Sequence, residues 1–388
     1  MSIKKLISAT LGAVVLLLYL ISCSQTGTTP SLTIQTPIKG PDRNDGHMND
    51  NDQVFRSLTV SNNSPEVVFI GTETNGIFKT TNGGATWTWL RNGLLHNNSS
   101  YPEVYDMAIH PNDNNILYAA TLTGMGSSIN GGTYKTIDGG TNWARKVTNI
   151  NNNLYTSTIT INPVNTDIIY TAVSYGIDDN GTPYSGTIYK SSDGGENWID
   201  LALTSPGNTN RITQIVSPAE DTVYFLGTNS SSTSDAVGLQ KSSDGGSNWS
   251  TINAPDIHIT GFALAPSDPN TIYIFDGSSA NVHKTTNEGT SWVKRGFWGG
   301  YFIAVSPTDP NTVFISHTNN LYKSTDGLAT YQQVLTGEVN ANISDIVIAP
   351  SDSNYVYAAQ DHYLVYQSTD GGETFTQVAD LRNFIDNY

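Results

Sequence analysis

KSSDGGENW, running from Lys190 to Trp198, decides the fold, because the chain carries this string seven times with variation. The other copies are KTTNGGATW (Lys79 to Trp87), KTIDGGTNW (Lys135 to Trp143), KSSDGGSNW (Lys241 to Trp249), KTTNEGTSW (Lys284 to Trp292), KSTDGLATY (Lys323 to Tyr331) and QSTDGGETF (Gln367 to Phe375). Successive closing aromatics stand 56, 55, 51, 43, 39 and 44 residues apart. A period of that length means one supersecondary unit per repeat, and about 40–50 residues is the size of a propeller blade.

Upstream of each string lies a second recurring unit, two short apolar segments around a turn rich in Pro and Asn. Val104 to Thr121, Ile259 to Asp276, Phe302 to Thr318 and Ile343 to Gln360 are examples. Alternating β-branched and aromatic residues bounded by Asn, Asp, Gly and Pro are strand and hairpin signals. Each repeat therefore reads as four strands, like YDMAIHP, NILYAAT, GTYKT and the segment from the aromatic onward. The expectation is an all-β chain forming a seven-bladed β-propeller of four-stranded antiparallel blades over residues 54–380, with a tail at 381–388. Ring closure stays open. Blade seven could meet blade one through side chains alone, or Leu32 to Thr36 or Leu381 to Tyr388 could add an outer strand.

The Ser/Thr-x-Asp-x-Gly-x-x-aromatic pattern resembles the Asp-box, or BNR, repeat of sialidases, sortilin-type ectodomains, xyloglucan hydrolases and Ycf48-type photosystem assembly factors. The resemblance covers nearly all of the chain beyond the N-terminus. Physically, the string is a hairpin whose Asp or Asn accepts hydrogen bonds from the turn's own backbone, while Gly supplies positive φ. The closing ring then packs between blades, where it buries about 150–250 Å². The strings read as structural rather than as seven active sites. Box five, with Asn287 and Glu288, and box six, with Leu328 and Tyr331, depart from the pattern and are expected to be looser turns.

The N-terminus reads as an address. Lys4 and Lys5 precede an apolar run from Leu11 to Ile21, which ends in Leu20-Ile21-Ser22-Cys23. A basic start, a short apolar region and small residues before a cut site describe an export signal over 1–22, too short for a comfortable membrane span. Leu-Ile-Ser-Cys resembles the bacterial lipoprotein signal, in which the Cys is acylated, so Cys23 is the expected lipidation site. A plain signal peptide or an uncleaved anchor is the alternative. The lipoprotein reading places the protein in the bacterial cell envelope, exported and tethered to a membrane. Residues 23–53 are Thr, Pro, Gly, Asn and Asp with few large apolar side chains and read as a flexible tether. The acidic run from Asp42 to Asp52 lacks calcium-loop spacing, and no metal or cofactor is expected.

Composition narrows the partners. The chain has 388 residues, one Cys, and 18 Lys+Arg against 34 Asp+Glu, a net charge of -16. One Cys excludes an internal disulfide framework and a thiolate metal cluster. The acidic balance argues against nucleic acid, whose phosphates are bound by Lys and Arg. Five of the acids, Asp138, Asp193, Asp244, Asp326 and Asp370, occupy the Asp position of the strings, so part of that charge is architecture.

A site is sought where the first strands begin, because the longer connections at 91–103, 122–132, 174–186 and 229–237 share that face, and long loops on a rigid scaffold carry function. Alignment on the Pro after the first strand puts Asp106 and Asp345 at equivalent positions, with Ser57, Thr158, Thr213, Gly261 and Phe302 completing the ring. Asp106 and Asp345 are weak catalytic candidates as a glycoside-hydrolase carboxylate pair, which needs about 5–9.5 Å between the two groups. Tyr105, Arg211, His258, Trp298 and Tyr301 are candidate binding residues. Trp298 could stack on a sugar or peptide, or fill the gap between blades five and six. A sialidase needs three clustered arginines, and only Arg56 and Arg211 start first strands. Catalytic strings for metalloproteases, serine hydrolases and phosphate loops are absent. The sequence thus reads as a monomeric, membrane-tethered binding or assembly module for a protein or carbohydrate at the loop-rich face, with a glycoside hydrolase as the alternative.

Overall fold

The computed structural model describes residues 55–96, 101–122, 131–150, 156–173, 176–177, 183–184, 186–203, 211–228, 236–277, 279, 281–296, 302–361 and 364–381. Cys23, the signal region, the tether and all of residues 382–388 lie outside these. No helix occurs among the described residues. They form seven sheets of four antiparallel strands, each built from consecutive segments, together with a two-stranded hairpin at Gly176–Ile177 and Pro183–Tyr184 in blade three. The chain is a seven-bladed β-propeller.

Burial follows position in the blade. The second strands Val68–Thr72, Ile169–Val173 and Val356–Gln360 are buried at every residue, because a blade in mid-ring is covered on both faces. Their sequences are accordingly near-continuous apolar runs. The fourth strands are the opposite. Ile199–Asp200 and Ser250–Thr251 are exposed and two residues long, which blunts the outer sheet edge. The first strands, Phe55–Val60, Glu103–Ile109, Thr156–Ile161, Arg211–Ala219, Ile259–Ala265, Ile303–Val305 and Ile343–Ile348, contact one another in order around the ring, including Ile343–Ile348 against Phe55–Val60.

The core is seven hydrophobic clusters, one at each junction between neighbouring blades. The cluster between blades seven and one contains Phe55, Leu58, Val68, Phe78 and Trp87 from one side and Tyr357, Ala359, Val365 and Leu381 from the other. Closure among the described residues is therefore by side-chain packing between two contiguous blades. The Tyr357 hydroxyl adds a bond to the Pro65 carbonyl, 2.8 Å.

The repeated hairpins share one hydrogen-bond plan. In blade three the Ser191 hydroxyl donates to Asp193 Oδ1 (2.8 Å) and accepts the Gly195 amide (2.8 Å), while Asp193 Oδ1 accepts the Asn197 amide (2.9 Å). Gly194 and Gly195 hold φ of 70° and 84°, which a side chain would resist. Hairpins five and six keep this plan, contrary to the looser turns expected. Gly289 N bonds Thr285 Oγ1 (3.0 Å) and Ser291 N bonds Asn287 Oδ1 (2.9 Å), while Leu328 N bonds Ser324 Oγ (2.9 Å) and Thr330 N bonds Asp326 Oδ1 (2.9 Å). The departure appears instead in the backbone. Glu288 and Leu328 take φ of 52° and 66° without being glycine. Packing holds Leu328 there, buried in the cluster of blades five and six. Ion pairing holds Glu288, whose carboxylate lies 2.5 Å from Lys241 Nζ.

The lysine that opens each string bridges to the next blade. Lys79 Nζ donates to the Gly139 carbonyl (2.9 Å), Lys135 Nζ to Gly194 (2.7 Å) and Lys190 Nζ to Gly245 (3.0 Å). Lys241, Lys284 and Lys323 reach Glu288, Asn311 and Glu373 in the following blades, and all six also lie over an aromatic ring of their own blade. Blade seven has Gln367 here, which donates to Tyr357.

Candidate functional site

The first strands are laced to one another by side chains at one level of the ring. Asp106 Oδ2 accepts the Thr158 hydroxyl (2.8 Å) and the Ile159 amide (2.9 Å) of blade three, and its Oδ1 accepts its neighbour's amide, Met107 (2.8 Å). Asp345 does the same across the closing junction, with Leu58 N on Oδ2 and Ile346 N on Oδ1, both 2.8 Å. Ser57 Oγ donates to the Val104 carbonyl (3.0 Å), and Thr158 Oγ1 accepts the Ile215 amide (3.3 Å). In blade four the lacing residue is Gln214, whose Nε2 and Oε1 bond the carbonyl (2.9 Å) and amide (3.2 Å) of Phe262.

Gln214 corrects the alignment, which placed Thr213 there. The first strand of blade four runs on through Pro218 into a tighter hairpin, with a register shift between Val216 and Ala219. Its Pro is therefore one residue nearer the ring than in blades two and seven, so Gln214 faces Leu226 as Asp106 faces Ala120 and Asp345 faces Ala359.

Burial raises the Asp106 carboxyl to about 6 against three hydrogen bonds that favour its charge. Burial raises Asp345 to about 7, and the nearby Asp106 charge adds to the shift. The two groups sense one another, yet both oxygens of each are occupied by backbone amides or a hydroxyl. They act as latches between blades.

Beside this ring is a cavity of about 370 Å³ lined by Phe55, Arg56, Tyr105, Phe302, Asn342 and Ser344, with Ile343 and Asp361. That volume lies within the range of small-ligand pockets. The linings come from the starts of first strands in blades one, two, six and seven and from Asp361, just past the second strand of blade seven, so the cavity opens on the face of the longer connections. Arg56 stands between Glu73 and Glu103, 3.2 and 2.5 Å away. Burial works against the guanidinium's charge, but Glu103 and Glu73 outweigh it and hold Arg56 above its ordinary value. Burial pushes Glu103 up, with Arg56 opposing. Asn342 is fixed by its carbonyl, which accepts the Asp361 amide (2.9 Å), and the loop before it is tied by Gln360, which donates to the Glu338 and Ala341 carbonyls.

Of the candidate binding residues, Tyr105 lines the cavity. His258 lies in blade five, where its carbonyl accepts the Gly277 amide (2.8 Å), and it does not line the cavity. Arg211 starts the first strand of blade four, and its side chain lies outside what is described. Trp298 and Tyr301 are also outside the described residues. Sequence reasoning passed over Asn342, Ser344 and Asp361. Nothing in the repeat marks them, since Ser157 of blade three holds the position of Ser344, and only the ring brings them together.

No protein-family model and no curated protein sequence matches the chain. Solved structures do. A GH74 xyloglucanase from Xanthomonas campestris aligns with a TM-score of 0.65 at 16% identity, over 83% of this chain and 53% of that one. An ancestral GH74 enzyme gives 0.63 at 19%, over 83% and 46%. YCF48 bound to a D1 peptide gives 0.60 at 15%, over 82% and 94%. What is shared is the propeller. The chain spans about half the length of the GH74 enzymes.

Proposed function

We propose that this chain is a membrane-tethered, extracytoplasmic propeller lipoprotein, acylated at Cys23, that works as a binding or assembly module through the cavity at the channel mouth. In this reading residues 1–22 are removed, 23–53 form a tether that displays the propeller from the cell envelope, and the seven hairpins are Asp-boxes with a structural role. The observation that carries it is the state of Asp106 and Asp345. Carboxylates whose four oxygens already accept amides and a hydroxyl of adjoining strands hold the ring together, while the cavity beside them offers rings and polar groups to a ligand. YCF48 with its D1 peptide is a precedent for a propeller of this size binding a protein segment.

The second reading, a glycoside hydrolase acting through Asp106 and Asp345, draws on the GH74 neighbours and on the raised Asp345 carboxyl, which suits a general acid. One experiment separates them. The full chain, expressed in a bacterial envelope, is crosslinked and affinity-captured, and purified protein is assayed on a glycan array and for release of reducing ends from polysaccharides. A captured protein or bound glycan without hydrolysis is expected. Release of reducing ends that is lost in Asp106→Asn and Asp345→Asn would replace the binding reading with the enzymatic one.

A further inference from the structure

The composition of the channel-mouth cavity points to one class of ligand. Three rings, Phe55, Tyr105 and Phe302, contribute to its wall. Among the described residues Arg56 is the one cationic side chain that lines it, and its charge is already outnumbered by Glu73 and Glu103. Asp361 adds a third carboxylate directly on the lining. An anion entering here would meet that excess of negative charge, whereas a cation would be drawn to it and could lie on a ring face.

Ser344 supplies an independent observation. It is 7% exposed, lines the cavity, and its hydroxyl has no hydrogen-bond partner among the described residues. A buried hydroxyl left unpaired costs about 1–3 kcal/mol, and a ligand N–H at this position relieves that cost. The volume of about 370 Å³ admits a long side chain and no folded domain.

We propose that the channel mouth receives a cationic side chain, Lys or Arg, from an exposed segment of a partner protein, with the rings against its stem and head and with Asp361 and Ser344 Oγ as acceptors. This rests on the binding-module reading above and narrows it to a protein ligand with a basic anchor.

The test is calorimetric titration of the full chain with Nα-acetyl-arginine amide, Nα-acetyl-lysine amide and the neutral isostere Nα-acetyl-citrulline amide. The expected result is that a charged amide binds at least about tenfold more tightly than citrulline, since one charge-assisted bond is worth about that factor. Asp361→Asn and Ser344→Ala should each weaken binding, by about tenfold and severalfold, with a melting temperature that does not fall as the control for folding. Arg56→Gln should tighten it by removing a competing cation. The proposal is overturned by no binding of either charged amide, by citrulline binding equally well, or by Arg56→Gln abolishing binding, which would mark an anion site. If the amides fail while envelope crosslinking still captures a partner or the glycan array gives a ligand, the basic anchor is wrong and the binding module stands. If both fail, both readings fall.

Discussion

Lys135 Nζ lies 2.7 Å from the carbonyl oxygen of Gly194, in the hairpin of the next blade, and the Tyr118 hydroxyl donates to the same oxygen at 2.8 Å. The ammonium also sits 5.6 Å from the centre of the Tyr118 ring. The same Lys and aromatic pair recurs from blade to blade, so six of the chain's 18 cations are committed to joining blades. The scarcity of free positive charge is thus greater than the composition alone suggests.

Gly194 is buried, so its carbonyl must keep a donor. Lys135→Met leaves Tyr118 in place and should cost about 1 kcal/mol, and Tyr118→Phe should cost about the same. The double variant should exceed their sum by about 1 kcal/mol, because only then is the carbonyl orphaned. Urea unfolding of the four proteins measures this coupling. Strict additivity would mean that the two donors act independently and that no shared clamp exists.

The inner latches set a dependence on pH. Unfolded, Asp106 and Asp345 would titrate near about 4, whereas in the fold they stand at about 6 and about 7. Between about pH 4 and 7 the folded state therefore holds more protons than the unfolded state, and stability falls as pH rises through that window. The hairpin aspartates act oppositely. Asp193 is drawn down to about 2, first by the Asn197 side chain and then by its amide, and contributes stability that is present above about pH 4 and lost on acidification toward 2. Thermal melting should peak on the acid side of neutrality, at about pH 4–5. Asp345→Asn should flatten the limb between pH 5 and 7.5, and an unchanged slope there would remove Asp345 as its source.

Leu328 sets two effects of similar size against each other. Glycine at this position relieves a left-handed backbone that costs a non-glycine residue about 1–2 kcal/mol. It also removes a leucine that is 1% exposed, worth about 1.5–3 kcal/mol, and adds about 0.5–1 kcal/mol of chain entropy. Leu328→Gly should therefore destabilise by about 1–2 kcal/mol, whereas Leu328→Asn, which tolerates the backbone but cannot fill the pocket, should cost more. Chemical denaturation ranks the three proteins. Stabilisation by Gly would show that strain, not packing, governs this hairpin.

The blades were legible because each feature that forms them is local and repeated: the hairpin string, the Pro-rich turn, and the continuous apolar run of the second strand. Closure was not, since it depends on Phe55 and Trp87 meeting Tyr357 and Leu381 across nearly the whole chain. The cavity was only partly legible. Tyr105 stands beside Asp106 and could be placed by the repeat, but Ser344 only matches Ser157 of blade three, Asp361 lies just past a second strand, and neither signals anything until blade seven is set beside blade one. The role of the opening lysine was in plain view in six strings, and its partner was hidden because it lies one blade away.

Gln214 gives the sharpest test of the inner ring. A repeat alignment on Pro218 nominates Thr213, while the register of the strand nominates Gln214. Thr213 Oγ1 bonds only within its own blade, 3.4 Å from the Leu226 carbonyl. Gln214 spans to blade five and satisfies both the amide and the carbonyl of Phe262, a residue that is itself 2% exposed. Gln214→Ala leaves two backbone groups unpaired at once and should cost about 1–3 kcal/mol, whereas Thr213→Ala should stay within about 0.5–1 kcal/mol, the lower end for a single long bond. Amide hydrogen exchange gives a local readout, because the Phe262 proton should exchange faster in Gln214→Ala and be unaffected in Thr213→Ala. The reverse order would show that Thr213, and not Gln214, laces blade four to blade five.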